Sequence, residues 1–320
     1  MKNLKYILIL ALLTAWLSPN AARAATWRVC ADCPVSSLRA AIRQAAPCDT
    51  IVVDGGVWAD TTIVIDKSIV LLGVNDPVID GQGGKHELML IAAHQVEVAG
   101  FTFRNMGVNF LEDVAALRAE SVREVHIHHN RFENTFFAIY LAHVRGGEIA
   151  NNVIRGQAVE ENNSGNAIHA WYCSDLRIHD NDVAGHRDGI YFEFVDHSRI
   201  ADNHSHDNLR YGLHFMFSDD DVYYRNTFER NGAGVAVMFS RRIDMWHNVF
   251  RHNWGGASFG LLLKEIYDAE IRDNQFEKNT IGIFVEGSNR ITYTRNRFER
   301  NGWAVKMNGG CLDNAFTHNA

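Results

Sequence analysis

Asparagine followed two residues later by an apolar residue recurs along this chain. From Asn130 onward the successive spacings are 22, 29, 22, 23, 22, 26, 22 and 18 residues, which is a period of 22 with insertions and one deletion. A fixed period of this length is typical of a solenoid. The asparagines of the series are Asn130, Asn152, Asn181, Asn203, Asn226, Asn248, Asn274, Asn296 and Asn314, of which Asn203 is followed by His204-Ser205 instead.

Each repeat also contains short strand-like runs. A small residue lies fourteen positions before each asparagine from Asn152 to Asn296 and begins a run of β-branched, aromatic and aliphatic residues, which is typical of a strand. Helical 3.6-residue periodicity is absent. We therefore expect an all-β fold, a right-handed parallel β-helix with two or three strands in each coil. The asparagines should stack in a turn ladder, because asparagine tolerates αL geometry and its amide can bond the amide one coil away.

Alignment of the coils on the asparagines predicts columns of side chains. Positions one and three steps after the small residue are apolar and should point into the core, so positions two and four steps after it should face outward. The two-step column is Tyr140, His169, Tyr191, His214, Ala236, Leu262 and Phe284. The four-step column is Ala142, Trp171, Glu193, Met216, Met238, Lys264 and Glu286.

The ends of a β-helix expose unpaired strand edges, which need a cover. Residues 36–47 predict such a cover, a short amphipathic helix with Ser36 or Ser37 as its N-cap, leading into a first strand at residues 50–53. Nothing comparable follows the last repeat. We expect the C-terminus to be truncated and residues 25–320 to form a single domain.

The N-terminus has the features of a signal peptide over residues 1–24. Lys2 and Lys5 precede an apolar run at residues 6–17, and Ala22-Arg23-Ala24 forms an A-x-A cleavage site. Its removal takes away three basic residues and changes the net charge from −7 to −10, which makes nucleic acid and anionic lipid poor partners. No later stretch approaches the roughly 20 apolar residues of a membrane span. The mature chain should therefore be exported and soluble.

Five cysteines lie in the exported part, where disulfides persist. Cys30 and Cys33 form a C-x-x-C sequence, and Cys48 is near. We expect one of the first two to bridge to Cys48 and fasten the N-terminal cap, with at least one thiol left free because the count is odd. The alternative is copper or redox chemistry at the C-x-x-C, although a thioredoxin-like βαβ context is absent.

The outward columns contain a candidate metal site. Neighbouring coils lie about 4.8 Å apart and i,i+2 residues about 6.7 Å apart, so His214, Met216 and Met238 should cluster. Two thioethers and an imidazole suit Cu(I), and His169 lies on the same face as a further candidate contact. The alternative is that the methionines cover an apolar groove. His169, Trp171, Tyr191 and Glu193 would then be surrounding groups or the lining of a partner groove, and Lys264 with Glu286 a surface ion pair.

A different class of function is a carbohydrate site. Asp219, Asp220 and Asp221 could act on a sugar as general acid and base, with Trp171 and Tyr191 as aromatic platforms. The outward columns lack the clustered Arg and Lys that a uronate requires, so a turn is the preferred interpretation of the three aspartates. Most of the remaining histidines are interpreted as solvated turn residues. They lie in turns or on alternating strand positions without a shared column: His126, His128, His129, His179, His204, His206 and His247.

Three consecutive segments resemble the NosD family. They are residues 210–218 (RYGLHFMFS), 231–242 (NGAGVAVMFSRR) and 260–266 (GLLLKEI), extended by 286–288 and 301–305. The resemblance covers nearly the whole exported chain, although members of the family are longer at the C-terminus. It assigns copper contacts to His214, Met216 and Met238.

The resemblance also implies a function. A periplasmic protein of this family is expected to work with an ABC transporter (a permease and an ATPase subunit) and with a copper-chaperone lipoprotein. Its client is apo nitrous oxide reductase, whose copper-sulfide centre it helps to assemble. Such a protein is not expected to be an enzyme.

Overall fold

The computed structural model describes residues 24–59 and 62–320. The apolar run of the predicted signal peptide and its cleavage site up to Arg23 lie outside these residues, so that prediction stays untested. Within the described ranges, no helix is both long enough and apolar enough to cross a membrane.

The described residues form thirty-five short strands, one α-helix, α1 (Leu38–Gln44), and one 3-10 turn (Glu161–Asn163). The first strands are β1 (Thr26–Val29), β2 (Thr50–Asp54), β3 (Val57–Trp58), β4 (Ile63–Ile65), β5 (Val70–Val74), β6 (Val78–Asp80), β7 (Met89–Ile91), β8 (Val96–Ala99), β9 (Thr102–Arg104), β10 (Ala115–Glu120), β11 (Arg123–His128) and β12 (Arg131–Glu133). The next are β13 (Phe137–Ala142), β14 (Arg145–Ala150), β15 (Val153–Arg155), β16 (Ile168–Trp171), β17 (Ser174–His179), β18 (Asp182–Ala184), β19 (Asp188–Glu193), β20 (Arg199–Ala201), β21 (His204–His206), β22 (Tyr211–Met216), β23 (Val222–Tyr224) and β24 (Thr227–Glu229). The last are β25 (Ala233–Met238), β26 (Asp244–Trp246), β27 (Val249–Arg251), β28 (Phe259–Lys264), β29 (Tyr267–Arg272), β30 (Gln275–Glu277), β31 (Ile281–Glu286), β32 (Asn289–Thr294), β33 (Arg297–Glu299), β34 (Trp303–Met307) and β35 (Ala315–Thr317).

The strands form three parallel sheets, which confirms the predicted parallel β-helix. Sheet A has thirteen strands, in the order β1-β2-β5-β8-β11-β14-β17-β20-β23-β26-β29-β32-β35. Sheet B has eleven strands, from β3 and β6 to β30 and β33, and sheet C has eleven, from β4 and β7 to β31 and β34. Each coil passes through sheets C, A and B in turn, so every strand pairs with its equivalents one coil before and one coil after.

The core is a continuous stack of apolar side chains inside the coils. The predicted inward columns of sheet C are fully buried, as Ile190, Phe192, Leu213 and Phe215 show. In sheet B, the residue two positions after each ladder asparagine packs on the equivalent residue of the next coil. The longest run of aromatic rings in this column is Phe228, Phe250, Phe276 and Phe298, whose successive ring centroids lie 4.6–5.5 Å apart. The hydrophobic repeat of the sequence is therefore the core of the fold.

The predicted asparagine ladder forms at the turn between sheets A and B. The Oδ1 of Asn226 accepts from the backbone N–H of Asn203 at 2.9 Å and from its Nδ2 at 3.0 Å, and the buried asparagines from Asn130 to Asn296 repeat this contact. The last position is corrected, because Asn319 bonds Asn296 whereas Asn314 caps Ile291 in sheet A. The series therefore ends with a spacing of 23 rather than a deletion.

The backbone argument for the ladder was wrong. The ladder asparagines do not adopt positive φ; the residue before each of them does, for example His129, Arg225 and His247. Asparagine is required at the ladder position for its amide, which supplies both an acceptor and a donor to the neighbouring coils, and not for αL tolerance.

The N-terminal cap is confirmed, with one correction. Helix α1 begins after Ser37, whose Oγ accepts from the N–H of Ala40 at 3.3 Å, and it buries Leu38, Ala41 and Ile42 against the first coil. The strand at residues 50–54 is not the first, because β1 precedes the helix and pairs with β2 from Thr26 to Val29.

The predicted disulfide is also corrected. Cys30 and Cys33 bridge each other, and Cys48 is an exposed free thiol. The link closes a tight turn within the N-terminal segment instead of joining it to the helix. Cys173, which is buried, and Cys311 are the other free cysteines of the described residues.

Candidate functional site

Sheet C positions the predicted site. The pairing of β16, β19, β22, β25, β28 and β31 places both outward columns in the predicted register, including Glu193 opposite Met216 and Met238 opposite Lys264. Met216 and Met238 are direct register partners, and each is the partly exposed last residue of its strand. The two thioethers therefore lie on one face of the β-helix. The backbones of the two strands that carry them are about 4.8 Å apart along the axis of the β-helix.

His214 lies two residues before Met216 on β22 and is only 4% exposed. The rings of Tyr191 and Tyr211 pack on its imidazole, with centroids 5.0 and 4.7 Å away. Its Nδ1 lies 3.6 Å from Oδ2 of Asp188, beyond hydrogen-bond distance, and both ring nitrogens are buried without a hydrogen-bond partner among the described residues. A buried imidazole nitrogen without a partner can accept a ligand, and His86, His169 and His186 also have such a nitrogen.

Asp188 orients this histidine. Its carboxylate is fully buried and accepts two bonds from the Arg210 guanidinium, at 2.9 and 2.6 Å, and one from the N–H of Tyr211 at 3.2 Å. Burial acts to raise the pKa of Asp188, but the contacts with His214 and Arg210 outweigh it and hold that pKa below its usual range. An ionised carboxylate beside Nδ1 favours a proton on Nδ1, which leaves the Nε2 lone pair of His214 for a metal.

His169 lies in the same column of sheet C as His214, and its register partner in the following coil is Tyr191. Its Nδ1 lies 3.0 Å from the Nδ2 of Asn166, and the Oδ1 of that amide accepts from Arg187 at 3.3 Å. These contacts make Nδ1 an acceptor, so the ring proton belongs on Nε2. Burial, with the charge of Arg187 next, lowers the pKa of His169 to about 3. The imidazole is neutral and is separated from His214 by the Tyr191 ring, which packs on both.

A ladder of exposed aromatic rings borders the methionines, and the sequence reasoning missed it. Tyr172, Phe194, Phe217 and Phe239 each follow the last strand residue of sheet C and stack with centroids 4.5–5.2 Å apart. Each ring is 38–47% exposed, and each residue has φ of 50–54°. Bulky side chains rarely adopt positive φ. The sequence does contain a signal for this ladder, because its four aromatic residues all lie five positions after the small residue that begins each run.

The three consecutive aspartates have structural contacts. Asp219 accepts from the N–H of Arg241 at 2.8 Å, Asp220 forms a bidentate pair with Arg242, and Asp221 accepts from the N–H of Ser198 at 2.7 Å. Burial raises the pKa of Asp221 well above its usual range. These contacts agree with the prediction of a turn, and they leave the three carboxylates pointing to different partners rather than to one sugar site.

The interpretation of the remaining histidines as groups without shared columns was wrong for several of them. His128 and His179 share a column of sheet A, with Ala150 between them, and His204 and His206 lie on one strand of sheet B beside Asp182. His128 and His179 contact Glu97 and Glu148, at 3.1 and 2.6 Å. The outward faces of sheets A and B therefore carry histidine–carboxylate pairs in addition to the candidate site on sheet C.

Comparison with known proteins gives one family match. The family model described as "Periplasmic copper-binding protein (NosD)" matches residues 150–320, which include every residue of the candidate site. A relative from Pseudomonas aeruginosa, described as "Probable ABC transporter binding protein NosD", is 29% identical over 128 residues. That alignment covers 39% of this chain and 30% of the relative, so the chain matches about a third of the relative's length.

Solved structures with the same fold have other activities. The A-module of the mannuronan C-5 epimerase AlgE6 from Azotobacter vinelandii has a TM-score of 0.63 at 14% identity, over 88% of this chain and 95% of that one. The surface adhesin PfbA of Streptococcus pneumoniae has a TM-score of 0.61 at 11% identity, over 82% and 85% of the two chains. At this level of identity the likeness shows the parallel β-helix alone.

Proposed function

Because this chain belongs to the NosD family of periplasmic copper-binding proteins, we propose that it carries Cu(I) on sheet C and passes it on during assembly of the copper-sulfide centre of nitrous oxide reductase. The contacts are the thioethers of Met216 and Met238 and the Nε2 of His214. The carrying observation is the register pairing of the two methionines, with His214 two residues before Met216 and its Nε2 buried without a hydrogen-bond partner among the described residues.

The donor set suits the proposed cargo. Thioethers are soft ligands that favour Cu(I), and an imidazole is compatible with it, whereas Ca²⁺ and Mg²⁺ need hard oxygen ligands. The partly exposed positions of Met216 and Met238 suit a metal that must be received and released, because a partner protein can reach the thioethers from solvent. His214 is fixed by Asp188 and the two tyrosine rings, so it supplies the rigid part of the site.

His169 has a supporting role in this proposal. Its Nε2 carries the ring proton and the Tyr191 ring lies between it and His214. A change of tautomer would break the contact with Asn166 before His169 could bind a metal through Nε2. We assign it to the packing that holds Tyr191 against His214.

The partners follow from the family and from the name of the relative. We infer that the chain works with the permease and ATPase of an ABC transporter, receives Cu(I) from a copper-chaperone lipoprotein and delivers it to apo nitrous oxide reductase. It acts in the periplasm by binding and handover rather than by turning over a substrate. Co-purification of the tagged chain with the permease in detergent tests the transporter contact, and its absence at physiological salt would contradict it.

The carbohydrate alternative has weaker support. Trp171 and Tyr191 do lie on the face of sheet C, but the Asp219–Asp221 carboxylates are occupied by Arg241, Arg242 and Ser198. The likeness to alginate epimerases is one of fold. A sugar site also gives no chemical reason for paired methionines beside a histidine.

Anaerobic titration with Cu(I) against a competing chelator tests the proposal. Cys48 is an exposed thiol and Cys311 a partly exposed one, and both would bind Cu(I). The titration therefore starts from a Cys48→Ser, Cys311→Ser background. We expect one Cu(I) per chain, lost in a further His214→Ala, Met216→Ala, Met238→Ala variant.

Met307→Leu is the matched control, because Met307 is an exposed methionine of the same sheet in β34. It should leave the Cu(I) stoichiometry unchanged. Undiminished binding in the triple variant would overturn the assignment to sheet C. Saturable binding of an alginate oligosaccharide by the same protein would instead favour the carbohydrate alternative.

A further inference from the structure

A second cluster of metal-ligating side chains lies on sheet B, apart from the methionines. His204 and His206 are the outward residues of β21, and Asp182 is the register partner of His204 on β18. Their ligand atoms all lie within 4.8 Å of one another, the one such group of three His, Cys, Asp or Glu side chains among residues 24–59 and 62–320. The His-Ser-His sequence produces it, because alternation points both imidazoles to the same side.

The distances match a metal site. Oδ1 of Asp182 lies 2.9 Å from Nε2 of His206 and 3.7 Å from Nδ1 of His204. Ligand bonds of 2.0–2.1 Å in a tetrahedral site place neighbouring ligand atoms about 3.3 Å apart. The two observed distances lie on either side of that value. The imidazole rings of His204 and His206 are stacked with centroids 4.1 Å apart, so they must rotate for both nitrogens to reach one ion with Asp182.

Each imidazole also has a second carboxylate at its other nitrogen. Nδ1 of His206 lies 2.6 Å from Oδ2 of Asp207, and Nε2 of His204 lies 3.6 Å from Oε1 of Glu229. Metal-binding histidines commonly donate their remaining N–H to a carboxylate, which fixes the tautomer and the ring orientation. His206 therefore presents Nε2, the nitrogen nearer Asp182, for a ligand, whereas Nε2 of His204 lies beyond hydrogen-bond distance of Glu229 and has no hydrogen-bond partner among the described residues.

Arginines hold the carboxylates in place. Arg155 contacts Oδ2 of Asp182 at 2.5 Å, which leaves Oδ1 for the two imidazoles. Arg230 pairs with Asp207 through two bonds of 2.9 Å, and Arg251 pairs with Glu229.

We propose that Asp182, His204 and His206 bind a divalent cation of borderline softness, Zn²⁺ or Cu²⁺. Two nitrogens and one oxygen suit such ions, and the absence of sulfur from the group makes it a poor site for Cu(I). Three protein ligands leave the fourth position of a tetrahedral ion to water or to a ligand from solvent. Asp182 and His204 are 41% and 40% exposed, so the ion is reachable.

Titration with Zn²⁺ alone tests the proposal on the Cys48→Ser, Cys311→Ser chain without a polyhistidine tag, because accessible thiols also bind Zn²⁺. Zn²⁺ has little affinity for thioethers, so the paired methionines do not compete for the ion. We expect one Zn²⁺ per chain, lost in His204→Ala, His206→Ala. Asp207→Asn should weaken binding about 10- to 100-fold, because the carboxylate behind His206 is removed.

His179→Ala is the matched control. His179 is also held between two carboxylates, Glu148 and Asp180, at 2.6 and 2.7 Å. His126 contacts the other oxygen of Glu148 at 3.5 Å, but these side chains do not bring three ligand atoms within 4.8 Å of one another. It should leave Zn²⁺ binding unchanged. Binding that survives the double variant, or a dissociation constant for the unaltered chain weaker than about 0.1 mM, would overturn the proposal.

Cu²⁺ provides a measurement that needs no variant. The electron paramagnetic resonance spectrum of the unaltered chain with one equivalent of Cu²⁺ should show hyperfine coupling to two nitrogens. A spectrum of hydrated Cu²⁺, or coupling to a single nitrogen, would contradict the assignment of both histidines.

Discussion

Two ladders of this β-helix, the asparagine ladder that begins at Asn130 and the aromatic ladder after sheet C, differ in burial and in extent. A further buried asparagine ladder runs from Asn208 to Asn301. The asparagine ladder is buried at the turn between sheets A and B and continues from Asn130 to Asn319. The aromatic ladder is exposed at the turn after sheet C and has four members, from Tyr172 to Phe239. The first repeats in every coil that it crosses, whereas the second spans four coils, two of which hold the proposed copper contacts. We infer that uniform columns of this solenoid maintain the fold and that local columns carry its chemistry.

The largest expected effect comes from breaking the buried ladder. Asn226→Ala removes the acceptor for the N–H of Asn203 and the donor that Nδ2 supplies to the carbonyl of Ile200 at 3.0 Å. Two buried groups left without partners should lower the free energy of unfolding by about 2–5 kcal/mol, measured by denaturant titration. The control is Asn162→Ala at an exposed asparagine, which should change it by less than about 0.5 kcal/mol. Equal losses in both variants would contradict a special role for the ladder.

A smaller effect on the free energy of unfolding, of opposite sign, is expected at Asp221. This residue accepts a hydrogen bond from the backbone of the preceding coil, as the ladder asparagines do, but with a carboxylate. Oδ1 of Asp221 accepts from the N–H of Ser198, but its Oδ2 is buried with no hydrogen-bond partner among the described residues. Asp221→Asn keeps the acceptor and replaces the buried charge with an amide donor. We expect a gain of about 1–3 kcal/mol in the free energy of unfolding at pH 7.

The pH dependence of that gain checks its cause. Burial raises the pKa of Asp221 in the folded chain well above its usual range. Its contribution to stability is therefore fully present below the unfolded-state pKa of about 3.9 and is lost as pH rises through the folded-state value. The advantage of the asparagine variant should be largest at neutral pH and shrink toward pH 4. A gain that does not change with pH would exclude the buried charge as its cause.

The local columns should respond in the opposite way to the buried ladder. Met216→Leu, Met238→Leu preserves volume and apolarity, so the free energy of unfolding should change by less than about 1.5 kcal/mol. Cu(I) affinity should fall at least about tenfold, equivalent to 1.4 kcal/mol, because both thioethers are lost. Chelator competition and denaturant titration on the same preparation separate the two quantities. Retained affinity, or a loss of stability as large as that of Asn226→Ala, would erase the distinction between the two kinds of column.

The fold could be predicted from the sequence because residues that contact each other in successive coils of a solenoid are separated by a nearly constant number of residues. Residues one coil apart pair directly, so alignment on the asparagines gave the register of Met216 with Met238 before any coordinates were known. The cap helix was predicted for the same local reason, since the Ser37 N-cap acts within one turn. The missed αL positions before the asparagines had no such signal, because their identities vary among histidine, aspartate and arginine.

The candidate sites were predictable only in part. Alternation places His214 outward, but it does not reveal that Tyr191, Tyr211 and Asp188 bury its ring. His204 and His206 carried a usable signal, a polar pair in place of the apolar residue after Asn203, that was interpreted as solvated turn. The pairing of Cys30 with Cys33 depends on how the N-terminal segment folds over β2, and spacing alone left other pairings open.

The smallest expected effect comes from the exposed ladder. Phe217→Asn removes one ring that stacks on Phe194 and Phe239 at 5.2 Å, a loss of about 0.5–1.5 kcal/mol at most for an exposed pair. It also places asparagine, which tolerates positive φ, where phenylalanine has φ of 51°. The two contributions have opposite signs, so the free energy of unfolding should change by less than about 1 kcal/mol, and Cu(I) affinity should stay the same because the ring supplies no ligand. A loss comparable to that of Asn226→Ala would mean that the aromatic ladder is a structural element, and its confinement to four coils would then need a cause other than the site beside it.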